Sequence, residues 1–500
     1  MEQYLDFANH FIWGAPALVL ILGVGLYLSL RTGFAQLRLF PYACRAFFEK
    51  LTCAHTKDGI TPVQALCTAL AATIGTGNIV GVAGAIALGG PGSVFWMWVC
   101  AAFGMMIKFA EATLAVHYRQ RKNGEWVGGP MYMISRGLPQ RWNFLGAVYC
   151  FFGIFAAFGV GNATQINAVI TGLNQAITSF GGDVSLRRNL GMGLLLAIPL
   201  GLMLMGGARR ISLAAQFLVP LAAGAYLLLG AGVLIIRVRD IPSAFSAIFR
   251  GAFSPAAITG GVVGSFFQAL RTGVSRGVFT NEAGLGTASI AHAAAEVEHP
   301  AEQGLMGIME VFLDTIMICT MTALVILCSG IPVPYGHDAG AELTSQAFCA
   351  VYGDWTSLFL TLALCSFAAA TVLGWGLYGV RCAEFLFGSS CRKYFVFFQI
   401  AVIVLSAVLE TGMIWSLAEL VNGLMAIPNL IALVVLSPKL CELTRGYKKH
   451  CGASSAFGGT YENFNQCQSV SALSHAQVPS LRTGGKASGQ ENISSEHWPA

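Results

Sequence analysis

The chain has 500 residues, 55% hydrophobic and only 11% charged, with mean hydropathy +0.65 and a formal net charge of +5. A soluble domain carries about 25% charged residues, so this composition excludes one and predicts an all-α polytopic membrane protein. A transmembrane β-barrel would show short alternating segments, and none occur. The basic residues cluster in loops that flank apolar runs, so they do not point to a nucleic-acid partner. The 14 cysteines are scattered, many inside apolar runs (Cys67, Cys100, Cys150, Cys319, Cys365), with no CxxC or Cys/His spacing. They read as small buried hydrophobes.

In chain order, 11–30 is a first apolar run without a basic leader, which argues against a cleaved signal peptide. The loop 31–62 carries Arg31, Arg38, Arg45, Lys50 and Lys57, so it reads as cytoplasmic and puts the N-terminus outside. The next run, up to Gly89, is hydrophobic enough to enter a membrane, yet Thr73, Gly75, Thr76, Gly77, Asn78 and Gly81 interrupt it. Glycine weakens a helix, and a helix broken at membrane depth survives only where protein or a water-filled cavity covers the freed backbone. Such breaks hold substrate and ion sites in membrane transporters. Glycines such as Gly77 and Gly81 are also compatible with close helix packing.

After a turn at Gly89-Gly90-Pro91-Gly92, the third run passes Phe95, Trp96, Met97 and Trp98, which suit an interfacial belt or packing on a moving core. Lys108 and Glu111 lie near its inner end. Further runs are read at 144–171, with Asn162, Thr164, Gln165 and Asn167, then at 190–205 and 213–236. The segment 258–295 holds many glycines, Arg271, Arg276 and the string Thr280-Asn281-Glu282, so a crossing there must be discontinuous or re-entrant. Runs at 304–329 (with Glu310 and Asp314), 357–380 (with Thr371 and Trp375), 394–409 and 412–436 complete the set.

The total is about eleven spans. Setting the first aside, the interrupted segments are the first and sixth of the remaining ten, which points to two inverted halves of five with a site between them. The expected organisation is 1–30 as an extracytoplasmic N-terminus and extra helix, 31–62 as a cytoplasmic loop, 63–236 and 237–437 as the two repeats, and 438–500 as a disordered cytoplasmic tail.

Six blocks carry a family resemblance: GTGN at 75–78, GGPGSVFWMWVCAAFG at 89–104, GGPMYMISRGL at 128–138, RGVFTNEAGLG at 276–286, HPAEQG at 299–304 and FLDTIMICTMTALVIL at 312–327. In this order they closely resemble the alanine/glycine:cation symporter (sodium:alanine symporter) family. The resemblance implies secondary active import of small neutral amino acids, alanine or glycine, driven by Na+, and a LeuT-type 5+5 fold behind one extra N-terminal helix. It implies a multi-pass protein of the bacterial inner membrane, embedded in the lipid bilayer; the loop charges, with Lys439, Arg445, Lys448 and Lys449 after the last run, put the N-terminus outside and the C-terminus in the cytoplasm. No cofactor is implied beyond the coupling ion.

Position by position, similarity to the LeuT-type fold implies that Gly75, Thr76 and Gly77 meet the substrate, the last two through their N–H groups. It makes the carbonyls of Ala71, Thr73 and Ile74, the Asn78 side chain and the Thr371 hydroxyl the Na+ ligands. Gln165 is a candidate hydrogen-bond partner of the substrate, and Asn167 a bundle contact. Trp375, one turn from Thr371 and on the same face, would cap a small pocket, or else serve as core packing. The second break is expected around 273–279, so Gly273 joins the substrate set. Arg276, Asn281 and Glu282 are expected to form a structural or gating network.

Two positions depart from the family pattern. Ser93 replaces a glycine or alanine, a trivial change in size. Ala370-Thr371 replaces two adjacent hydroxyl residues, which removes one candidate Na+ ligand. With the buried acids Glu111, Glu310 and Asp314, this keeps a proton-coupled amino-acid carrier of the same fold as the alternative. No acid lies inside the 73–78 break itself. An intramembrane enzyme is not supported, since neither HExxH nor a nucleophile–base pairing is found.

Overall fold

An apolar run in lipid must satisfy its own backbone, which is why nearly every run becomes a helix. The computed structural model describes residues 9, 12–51, 59–179, 181–263, 265–337, 339–409 and 412–456. Lys57 and the tail from 457 onward lie outside the described residues, as does the N-terminal segment 1–8.

The first helices are α1 (Ala15–Thr32), α2 (Phe40–Leu51), α3 (Pro62–Thr73), α4 (Val82–Gly89) and α5 (Gly92–His117). A short antiparallel hairpin, β1 (Gln120–Lys122) with β2 (Glu125–Val127), leads to α6 (Pro130–Gly137), α7 (Phe144–Phe158), α8 (Thr164–Ser179), α9 (Leu186–Met205), α10 (Gly207–Ile236) and α11 (Ile241–Phe253). Then come α12 (Phe266–Asn281), α13 (Thr287–His292), α14 (Pro300–Val311), α15 (Thr320–Cys328), α16 (Ala341–Tyr352), α17 (Trp355–Phe387), α18 (Arg392–Ser406), α19 (Gly412–Val435) and α20 (Ser437–Ala456). There are three wide π turns among the described residues: Gly159–Ala163 joins α7 to α8 and Phe312–Cys319 joins α14 to α15, whereas Gly77–Gly81 opens the second half of a broken pair and runs into α4.

Among the described residues, eight helices are long and apolar enough to cross a membrane. A ninth span is the pair Pro62–Thr73 and Gly77–Gly89, bent by 56° at its break. The apolar stretch Pro16–Thr32 is shorter. Burial marks which helices form the middle: α5 is buried along most of its length, whereas α9 and α10 turn large apolar side chains such as Leu195, Leu221 and Leu228 outward.

The structure corrects one boundary. The stretch from 438, expected to be disordered, is helical through Ala456. Lys439 pairs with Glu442 one turn on at 2.8 Å, and the apolar Leu440 and Cys441 are buried, so this polar composition still offers one anchored face. The aromatics of α5 also resolve to packing. Trp98 Nε1 donates to Thr320 Oγ1 (2.8 Å) and Trp96 Nε1 to the Ala252 carbonyl (3.1 Å), so both indole N–H groups are used inside the protein.

Candidate functional site

The first break is built by its own sequence. α3 starts on a capping box in which Thr61 Oγ1 accepts from Gln64 N and Gln64 Oε1 accepts from Thr61 N, with Pro62 in the first turn. It stops at Thr73 because Ile74 leaves helical space (ψ 98°), and Gly75 N–H then donates to Asn78 Oδ1 at 3.0 Å. Ala71 and Thr73 therefore belong to a last turn whose carbonyls have no following helical amide. The chain re-enters helix through the π turn, where Asn78 is fully buried.

Asn78 also reaches across the molecule. Its Nδ2 donates to Asp314 Oδ1 at 2.7 Å, and Asp314 sits in another π turn. Asp314 Oδ2 accepts from Thr315 Oγ1 (2.8 Å), which accepts from Asn281 Nδ2 (3.2 Å) at the end of α12. One buried carboxylate thus connects the first break to the approach to the second.

Around the bend, three expected site residues come together. A Cβ built on Gly75 would lie 2.9 Å from Thr371 Oγ1 and 3.6 Å from Gln165 Oε1, so only glycine fits between them. Thr371 Oγ1 donates to the Phe367 carbonyl (3.0 Å), leaving its lone pairs toward Gly75. Gln165 Nε2 is 3.3 Å from the Val160 carbonyl, while Gln165 Oε1 is buried without a partner among the described residues. Gly77 faces Phe279, the last residue of the stretch expected to complete the pocket, and Thr280, which the sequence did not single out as a site residue. The oxygens gathered here, from Thr371, Gln165 and the last turn of α3, are the donor type a hard monovalent cation takes. Ala370 is buried and contributes no side-chain oxygen.

The second break lies later than expected. α12 runs unbroken through 273–279, and the chain turns at 282–286, where Glu282 (φ 52°), Gly284 (φ 95°) and Gly286 (φ 77°) take left-handed backbone conformations. Gly273 is not at the bend. A Cβ there would run into the Ser93 backbone and sit 2.7 Å from Trp96 Cβ, so this glycine lets α12 pack on α5. Ser93 itself does more than fill space, because its hydroxyl lies 2.8 Å from the Ala85 carbonyl and 2.7 Å from that of Gly90.

Polar side chains hold the second break from several helices. Glu282 Oε1 accepts from Trp375 Nε1 (3.0 Å) and its Oε2 from Thr287 Oγ1 (2.6 Å). Trp375 is fully buried and its Cβ packs against Gly161 in the remaining π turn. Glu111 Oε1 accepts from Gly284 N, Gly286 N and Asn429 Nδ2 at 3.0, 3.1 and 2.7 Å. Lys108 pairs with Glu310 at 2.8 Å, and Glu310 also meets His292 Nε2 at 2.9 Å. Gln303 Nε2 lies 3.3 Å from the Pro62 carbonyl and 2.7 Å from His292 Nδ1, so His292 is held between Gln303 and Glu310. The expected network therefore includes Asn281 and Glu282, while Arg276 forms no ion pair among the described residues.

Residues 1–456 match the sodium:alanine symporter family. The chain belongs to that family. It is a membrane transporter and not an enzyme. It is 43% identical over 446 residues to the sodium/alanine symporter AgcS of Methanococcus maripaludis, covering 88% of this chain and 96% of AgcS. An uncharacterised transporter of Haemophilus influenzae is 43% identical over 455 residues, covering 89% of this chain and 96% of the relative. The crystal structure of MhsT in complex with L-phenylalanine shares the fold, with TM-score 0.53 at 12% identity over 76% of this chain and 90% of MhsT.

In this symporter-family chain, three further buried polar side chains were not assigned to the site by sequence reading. Asn162 is buried in its π turn with neither amide atom partnered, and Tyr149 and Tyr378 are buried with unpartnered hydroxyls. Asn162 stood in the sequence as one of several polar residues on an apolar run; the tyrosines carried no signal, being ordinary in membrane helices. Asn167 reaches the Leu409 carbonyl at 3.5 Å. There it borders an open cavity of about 370 Å³ between α8, α9 and 407–409, away from the 73–78 bend.

Proposed function

We propose that this chain is a secondary active symporter that imports a small neutral amino acid, alanine or glycine, with Na+ across the bacterial cell membrane by alternating access. The observation that carries the reading is the meeting of Gly75, Thr371 and the unpartnered Gln165 Oε1 at a helix broken inside the protein. An amino acid offers a carboxylate and an ammonium, and such a break offers both complements. Thr76 and Gly77 present N–H groups at the start of the second half-helix, where the dipole favours an anion. The last-turn carbonyls of Ala71, Thr73 and Ile74, with the Thr371 hydroxyl and Asn78 Oδ1, supply oxygens for Na+. Gln165 Oε1, buried without a partner among the described residues, would accept from the ammonium.

Crowding at the bend supports the choice of a small substrate. Phe279 and Thr280 crowd Gly77, and Thr371 crowds Gly75. Gly273, packed against α5, is left out of the substrate set. In this reading about eleven spans form two inverted sets of five behind α1, with the N-terminus outside and the C-terminus cytoplasmic. The family relationship supports the substrate class, since AgcS is named a sodium/alanine symporter.

The experiment is uptake of labelled alanine and glycine into proteoliposomes under imposed sodium or proton gradients. An inward sodium gradient is expected to drive accumulation. Accumulation driven by protons alone would overturn the coupling ion, and no uptake of either amino acid would overturn the substrate class.

A further inference from the structure

Successive layers of side chains stack where α7 and α8 pack on α17. A Cβ on Gly379 would lie 2.6 Å from Ala157 Cβ. About one turn along each helix, Gly161 meets the Cβ of Trp375, and one turn further Gln165 and Thr371 both border Gly75 at the first bend. The steps 157, 161, 165 and 379, 375, 371 run in opposite senses along the two helices, so the register is continuous. Trp375 therefore occupies the layer next to that of the bend. Gly374 fixes the same level, because a Cβ there would be 2.9 Å from Ala72 in the last turn of α3.

From that layer the indole reaches toward the second break. Its Cβ starts at Gly161, and its Nε1 donates to Glu282 Oε1 at 3.0 Å. The ring is fully buried and lies between the π turn of α7–α8 and the Glu282–Gly286 turn. It thus lies across the space beside the Gly75 layer, on the side toward Pro62.

Glu282 fixes how that ring is turned. The indole has a single N–H to give, and Glu282 Oε1 receives it. The other carboxylate oxygen accepts from Thr287 Oγ1 at 2.6 Å, which ties the carboxylate down from the far side of the turn. Glu282 itself takes a left-handed backbone conformation, φ 52°, that glycine adopts without strain. The position bears a backbone cost that glycine would avoid, and what it supplies in return is the carboxylate. Resting on the reading of the Gly75 bend as the substrate site, we infer that Glu282 is a positioning residue. It holds the Trp375 indole as a floor under the bound amino acid and so restricts the substrate to a very small side chain.

Two measurements test this. Hydroxyl-radical footprinting of the purified full-length protein in detergent, read at single residues by mass spectrometry, needs no transport. Trp375 should be protected in the wild type and in Glu282→Gln, whose amide oxygen still accepts from Nε1. In Glu282→Ala it should be labelled several-fold more, while Trp96 and Trp98, held by other bonds, keep their labelling. Competitive uptake of labelled alanine and leucine into proteoliposomes reads the floor itself. Glu282→Ala and Trp375→Phe, which lacks the N–H, should each raise the leucine-to-alanine ratio about tenfold, and the double variant no further. Glu282→Gln should stay near the wild-type ratio. A role in stability alone would lower both uptakes together, and an unchanged ratio overturns the inference. Unchanged Trp375 labelling in Glu282→Ala overturns it too. Should that variant not fold, an unchanged ratio in Trp375→Phe is equally decisive. Wild-type protein that takes up neither amino acid overturns the substrate reading instead, and the footprint still decides whether Glu282 places the indole.

Discussion

Asn78 and Asp314 are 236 positions apart in the chain and joined by a 2.7 Å hydrogen bond inside the protein. The same asparagine closes the first bend by accepting from Gly75 N–H, so one side chain shapes the bend and ties it to the helix behind it. Asn78→Ala would leave that N–H and a buried carboxylate oxygen unpaired, at a cost of about 2–3 kcal/mol. We expect it to abolish sodium-dependent alanine uptake while the protein still inserts, measured as proteoliposome uptake against the amount extracted from membranes. Asp314→Asn should reduce uptake as well, and the double variant should lose little more than the worse single. Unchanged transport in Asn78→Ala refutes its role.

Gly75 and Thr371 make a second testable pair. A methyl group at 75 meets the Thr371 hydroxyl at 2.9 Å, so Gly75→Ala should lower apparent alanine affinity by about tenfold, in line with an overpacking cost of about 1–3 kcal/mol. Adding Thr371→Ala removes the clash, so substrate affinity should recover in part while apparent Na+ affinity stays weak. Strict additivity of the two effects would show that the residues do not share the site.

Much of this was readable in the chain. The capped start of α3 and the glycine-rich interruption after it are local features, and local sequence carries them. The second break was misplaced because a glycine does not state its purpose. Gly273 serves a close helix contact, whereas Gly284 and Gly286 serve a left-handed backbone, and both look alike in an apolar run. The partners of Glu111, Lys108 and Asp314 were not readable, since each pairing spans well over a hundred positions and depends on how whole helices pack. The helix from Ser437 was hidden by its polar composition, since only a narrow stripe including Leu440 and Cys441 is buried.

Gly273→Ala separates packing from binding. The added carbon has no room against the Ser93 backbone, so the variant should melt several degrees lower in a thermal unfolding assay. The folded fraction should keep the wild-type apparent affinity for alanine. A large affinity change with normal thermal stability would instead return Gly273 to the substrate site.

Lys108 forms the one ammonium–carboxylate pair among the described residues that is buried on both sides. Lys108→Met takes the ammonium away from the buried Glu310 and should destabilise the protein by about 3–5 kcal/mol, read as a fall in melting temperature and in yield. Combining it with Glu310→Met should recover much of that loss, because an apolar pair of similar size needs no counter-charge.

Each π turn inserts one residue into a helix and so rotates everything beyond it by about 100°. The two halves of such a helix are therefore written in different frames. In the helix that carries Asp314, residues 300–311 and 320–328 can each be matched to separate neighbours without a compromise between them. The same arithmetic says where a residue can be lost. Deleting one residue between Phe312 and Cys319 would restore a regular helix and leave every later side chain on its own neighbour, whereas one deleted from 300–311 would turn all that follows by about 100°.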